Sequence, residues 1–175
     1  KDHDPETRIG AIATLISVGG PKEVTQYGLN ADRFTRDGQY DAATHAGVLV
    51  ELIKSVQKRN LEADGDPADA LNKMISSTHA ELQSNALSLA GLWQVRGTAD
   101  AVESIAGESG AKTAVRRAAF IAMARMGLDG ADKTLNQLAA KSNTTPLRAA
   151  AIEALCLIEI ESAAKHAAIL FAGVE

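Results

Sequence analysis

A chain of 175 residues with 46% apolar but only 3% aromatic content can build one helical core from Ala, Leu, Ile and Val, closely packed rather than filled by large rings. Its 18 basic and 22 acidic residues give a net charge of −4, which argues against general attraction to nucleic acid or to an anionic membrane. No uncharged apolar run approaches the roughly 18 residues that a membrane span needs, and a lone cysteine, Cys156, excludes an internal disulfide framework.

Along the chain, all four prolines stand where a helix is expected to begin: Asp4-Pro5, Gly20-Pro21, Asp66-Pro67 and Thr145-Pro146. Proline at the first helical position sacrifices no hydrogen bond, and a preceding Asp or Thr can accept one from a free amide. The first repeat is expected over 5–28, with Ile9, Ile12, Leu15, Ile16 and Val18 on a first helix and Val24 and Tyr27 on a second. A polar insertion over 30–39 follows, turning at Asp37-Gly38. The second repeat, 39–77, has a helix of about 41–60 carrying Val48, Leu49, Leu52, Ile53 and Val56, an acidic turn at 61–66, and a second helix with Leu71, Met74 and Ile75. Thr78 with Glu81 reads as a capping box opening the third repeat, 78–109, and repeats over 111–142 and 145–173 complete the chain. Their second helices carry Ala101, Val102 and Ile105, then Thr134, Leu135 and Leu138, then Ala164, Ala167, Ala168 and Leu170.

One segment returns three times, at 82–93, 115–126 and 147–158, with offsets of 33 and 32 residues. Apolar positions coincide at Leu87, Phe120 and Ile152, at Ala90, Met123 and Leu155, and at Trp93, Met126 and Ile158. Small residues coincide at Ala86, Ala119 and Ala151. A helical period of this length means that one repeat cannot bury its apolar face alone and that stacking completes the core. The expected fold is therefore all-α, a right-handed α-α superhelix of about five helix pairs. Because the chain begins at Lys1 and its last residues keep the apolar register of the repeats, it is expected to be a piece of a longer protein.

The segments Ala114-Val115-Arg116-Arg117-Ala118-Ala119-Phe120, with Gly127 after them, and Pro146-Leu147-Arg148-Ala149-Ala150-Ala151-Ile152 resemble the first helices of HEAT-like repeats of the short bacterial kind, an armadillo-type solenoid. The third repeat departs from that pattern, with Gln83 and Ser84 in the places of the two arginines, and the first two repeats match only in apolar spacing. More narrowly, the run over 82–93 and the two repeats after it resemble the helical segment of large exported bacterial proteins that join a dehydrogenase-like propeller, HEAT repeats and a c-type haem domain. That resemblance implies a periplasmic or exported, membrane-associated dehydrogenase in which this piece is a spacer or docking module. The chain has no Cys-x-x-Cys-His, so it holds no covalent haem itself.

Candidate chemistry is sparse. His3, His45, His79 and His166 occupy four different places in the repeat frame, and no pair has the i, i+4 spacing of a helical metal site. Cys156 aligns with Gly91 and Ala124 and reads as a buried thiol filling a tight helix contact. Glu62, Asp64, Asp66 and Asp69 lack the regular spacing of a calcium loop, and two of them serve as helix-start acids. Arg116, Arg117, Arg125, Lys133, Lys141 and Arg148 read as a ladder binding neighbouring turns and carbonyls; without nearby aromatics, and with Asp129 and Asp132 among them, they argue against nucleic acid. Trp93 reads as core. Catalytic, cofactor-binding and metal-binding residues are expected to be absent, and the chain is expected to be a non-catalytic scaffold that binds a protein partner or neighbouring domains of its own chain. Phe34 in the insertion is read first as an anchor tucked onto the helices and alternatively as a partner contact; the other partner-binding candidates are Arg33 and Arg36 beside it, and Lys73, Glu103, Lys133 and Gln137 on the second helices, which the solenoid geometry turns to its concave side. The rival readings are the dehydrogenase or haem-protein spacer, and less so a nucleic-acid-binding or chromophore-lyase HEAT protein.

Overall fold

Asp4 opens the first helix as expected, its carboxylate accepting the Thr7 amide at 3.0 Å, and α1 runs Pro5–Val18. The computed structural model describes residues 4–172, so the expectations for His3 and for residues 173–175 lie outside it. After α1 the chain makes a three-residue helical turn, α2 (Pro21–Glu23), closed by the Gly20 amide on Glu23 Oε2 at 2.8 Å, and continues as a π-helix over Val24–Leu29. The insertion, expected as a polar loop, is a 3-10 turn (Ala31–Phe34) and a two-stranded antiparallel hairpin, β1 (Thr35–Arg36) and β2 (Gln39–Tyr40). Asp37 and Gly38, at φ 50° and 75°, take the left-handed pair of conformations that a two-residue hairpin turn demands.

Seven full helices follow: α3 (Ala42–Arg59), α4 (Ala68–Ile75), α5 (Ala80–Leu92), α6 (Ala99–Gly107), α7 (Thr113–Met126), α8 (Ala131–Leu138) and α9 (Thr145–Leu155), before the last, α10 (Ile160–Phe171). Three starts differ from the capping prediction. α5 is capped by His79, whose Nδ1 accepts the Leu82 amide at 3.4 Å, rather than by Thr78. Pro67 precedes the first turn of α4, where Asp66 Oδ1 accepts the Ala68 amide at 2.9 Å. At α9 the cap is Thr144 and no side chain closes it.

The first helices α1, α3, α5, α7 and α9 stack in order, and each second helix lies against the first helix that follows it: α4 on α5, α6 on α7, α8 on α9. This is an all-α solenoid. Most of the threefold frame read from the sequence is its core: Ala86, Ala119 and Ala151 are fully buried, as are Leu87, Phe120, Ala90 and Leu155, whereas at the last frame position Met126 is buried, Trp93 partly buried and Ile158 exposed. Small residues set how closely the helices approach. A Cβ on Gly91 would lie 2.7 Å from Ala122 Cα, and one on Gly47 would lie 2.6 Å from Ile9 Cδ1.

Polar bolts hold the pairs in register. Gln83 donates to the Ile75 carbonyl at 2.8 Å, Arg116 to the Ala106 carbonyl at 3.0 and 3.2 Å, and Arg148 to the Ala139 carbonyl at 3.3 Å. These three donors share one place in the repeat frame, and the carbonyls lie at the ends of α4, α6 and α8, where a helix has no internal partner for them. The substitution of Gln83 for arginine, a departure at the level of motif, therefore preserves the contact. Arg59 does the same for α1, donating to the carbonyls of Ile16, Ser17 and Gly19 at 3.1, 2.6 and 2.8 Å.

Candidate functional site

The hairpin is held by a fully buried histidine. Phe34 lies flat on His45, with ring centroids 3.8 Å apart and planes 9° apart, and Tyr40 meets the same ring edge-on at 5.8 Å. His45 Nε2 is 2.7 Å from the Gly28 carbonyl, which can only accept, so that nitrogen carries the proton. Nδ1 is then the acceptor for the Tyr40 hydroxyl at 2.5 Å. Burial pushes the imidazole down to about 4 against the opposing pull of the Gly28 bond. Burial, with Asp41 beside it, pushes the Tyr40 phenol up to about 12. The clamp is thus a neutral, fully paired unit joining α3, the π-helix and the hairpin.

On the far side of Tyr40 and Leu29 this clamp forms one wall of a groove of about 700 Å³, whose other wall is α4. The buried side chains of Leu29, Met74 and Leu82 supply its floor. Among the described residues its rim carries Asp32, Asp66, Asp69 and one cation, Lys73. Each carboxylate has a local reason to be there, since Asp66 and Asp69 start α4 and Asp32 lies in the 3-10 turn whose amide is held by Asn30 Oδ1 at 3.0 Å. Their sum is an acidic rim over an apolar floor. Such a site is suited to an extended segment that offers one apolar and one cationic side chain.

Of the predicted partner residues, the groove contains Lys73. Phe34 is the anchor of the hairpin, as its first reading expects, fully buried against His45, and its alternative reading as a partner contact is corrected by that burial. Arg33 is exposed, with its guanidinium 5.0 Å from the Tyr27 ring centroid, and Arg36, 3.7 Å from Asp37, lines a separate cavity of about 570 Å³ with Pro5, Arg8 and Tyr40. Glu103 stands exposed on α6, and Lys133 and Gln137 on α8. Of the predicted basic ladder, Arg116 lies on its carbonyl and near the Phe120 ring, Arg148 on the Ala139 carbonyl, and Arg117 on Glu153 through two bonds of 2.5 Å. Trp93 packs partly buried on the core, its Nε1 donating to the Leu61 carbonyl at 2.7 Å, and it also lines a second groove of about 700 Å³ with Arg125.

Cys156 is corrected as well. It is exposed: among the described residues no first helix follows α9 to cover the place that Gly91 and Ala124 bury. His166 bonds Asn136 Oδ1 at 3.1 Å, tying α10 to α8. Among the described residues no three His, Cys, Asp or Glu side chains gather as a metal-holding group, and no helix is long and apolar enough to cross a membrane. The groove and the His45 clamp were missed from sequence, although two of the few aromatics, Phe34 and Tyr40, stand in one polar insertion just ahead of a histidine.

No curated protein and no solved structure matches the chain. The family model for HEAT repeats matches residues 68–156, more than half of the 175 residues and the part in which the threefold frame, the glycine contact and the carbonyl bolts recur. On that match and that stack of helix pairs, the chain belongs to the HEAT repeat family.

Proposed function

We propose that this chain is a protein-interaction scaffold whose groove between the hairpin and α4 receives an extended partner segment bearing a cationic side chain. HEAT repeats generally serve interaction rather than catalysis, which supports the coarse reading. The observation that supports the finer one is the groove's composition: a floor of Leu29, Met74 and Leu82 under three carboxylates and one ammonium. An apolar side chain of the partner fills the floor while its Lys or Arg meets Asp66 and Asp69. The clamp at His45 keeps the wall in place before the partner arrives, so little ordering cost falls on binding. Glu103, Lys133 and Gln137, further along the second helices, extend the contact for a longer segment, with Arg33 and Arg36 flanking it on the hairpin side.

A panel of extended peptides that vary one apolar and one basic position tests this by fluorescence anisotropy. Basic–apolar peptides are expected to bind, Asp66→Asn with Asp69→Asn to weaken them about tenfold or more, and Lys73→Glu to tighten them. Peptide binding that ignores all three substitutions, or no binding by any member of the panel, overturns the proposal.

A further inference from the structure

The groove lined by Trp93 and Arg125 lies across the C-terminal ends of three stacked first helices. Gln57 and Asn60 close α3, Leu92 and Trp93 close α5, and Arg125 stands in the last turn of α7. Packed helices lie about 8–10 Å apart, so from α3 to α7 the groove runs roughly 16–20 Å. Its floor is the buried Val56, Leu61 and Val95 beside Trp93, the single tryptophan of the chain. Its lining is more polar than apolar, the reverse of the groove beside α4.

Five polar side chains edge this floor without a hydrogen-bonded or ionic partner among the described residues: the carboxamides of Gln57, Asn60 and Gln94, the Arg125 guanidinium and the Glu62 carboxylate. Water satisfies such groups anywhere on a surface. What sets these apart is the backbone beneath two of them. Asn60 and Gln94 each stand just past the end of a first helix at φ 52°, in the left-handed region, and one repeat beyond Gln94 the same place is held by Gly127 at φ 57°. Glycine takes that conformation without steric cost and asparagine with a small one, whereas glutamine has neither advantage. Gln94 therefore carries a backbone cost while its side chain makes no bond in return among the described residues. Strain of this kind gathers where a side chain is held out for a ligand.

We infer that this groove binds a linear, uncharged, hydroxyl-rich ligand, a short oligosaccharide chain. Carboxamides both donate and accept, as sugar hydroxyls do, and the planar guanidinium and carboxylate can each reach two neighbouring hydroxyls. Trp93 adds an aromatic surface of the kind that takes the C–H face of a sugar ring. Charge points to a neutral occupant: Arg125 and Glu62 offset each other, and the ends of three helices disfavour an anion. A span of roughly 16–20 Å accommodates a few linked rings in a row. A peptide held by an apolar side chain is better served by the groove beside α4.

With no other tryptophan in the chain, the emission of Trp93 reports on this groove directly. Linear neutral tri- and tetrasaccharides of glucose and of N-acetylglucosamine, titrated into the protein, are expected to shift that emission saturably, with calorimetry giving the same affinity. Oligouronates of equal length, with a carboxylate on each ring, are expected to bind more weakly. Asn60→Gly combined with Gln94→Gly keeps the left-handed backbone and removes only the two carboxamides. That double variant is expected to bind about tenfold or more weakly while its melting temperature holds or rises, an opposition that a merely structural role would not produce. No response to any of these saccharides, a double variant that binds as well as the wild type, oligouronates that bind more tightly than neutral chains, or a response confined to uncharged serine- and asparagine-rich peptides of similar length overturns the proposal.

Discussion

His45 is neutral in the folded chain at pH values where a free histidine is charged, and this has a definite sign. Its ordinary value of 6.5 falls to about 4 on folding, so as the pH drops the unfolded chain takes up the proton first. The stability that the neutral ring contributes is complete above about pH 6.5, is lost as the pH falls toward about 4, and loses nothing further below that. Between pH 7 and pH 5 the loss amounts to about 2 kcal/mol from this residue. Urea unfolding across that range checks it: the wild type is expected to lose about that much, and His45→Phe, less stable at neutral pH because the Gly28 carbonyl and Tyr40 hydroxyl lose their partner, is expected to show a flatter profile. Asp4, Glu23 and Asp41 have lowered values from amide and hydroxyl bonds, with Thr7, Gly20 and Thr44 respectively, so their contributions are lost in a more acidic range.

Between elements, the spacing of first helices is set where backbone meets small side chain. Gly91 faces Ala122 so closely that an added methyl would lie against main chain, which cannot swing away as a side-chain end can. Gly91→Ala is therefore expected to destabilise by about 1–3 kcal/mol, the separation of α5 from α7 outweighing the gain of about 1 kcal/mol that alanine brings to a helix. Gly10→Ala, where an added methyl meets nothing within 4 Å among the described residues, is expected to show that gain alone. Thermal unfolding of the two variants side by side reads the contrast. One glycine is held by a neighbour that is visible and the other by none, so opposite signs from the same chemical change locate the packing surface.

For the whole molecule, the stack was legible because its core is periodic: Ala86, Ala119 and Ala151 repeat at a helical-pair spacing, and burial follows that spacing. Arg116 and Arg148 were legible as carbonyl-binding positions for the same reason. The hairpin was not, because Thr35–Arg36 and Gln39–Tyr40 are strands too short to carry an alternation, and their order comes from a histidine downstream on another helix. The groove escaped for a related reason, since Asp32, Asp66 and Asp69 each look like local turn and helix-start residues, and only folding puts them around one opening. Cys156 was misplaced because periodicity describes what a position meets inside a stack and is silent at its edge. That edge also decides how the molecule breathes. A repeat is supported by its neighbours, and among the described residues α10 rests on α9 and is tied to α8 by His166 and Asn136, with Phe171 in solvent. Amide hydrogens of α10 are expected to exchange deuterium well before those of α7, which is flanked on both sides, as mass spectrometry of the exchanged peptides would record. Loosening within the described stack is expected to run from α10 toward α7, a gradient of local opening beneath the global transition.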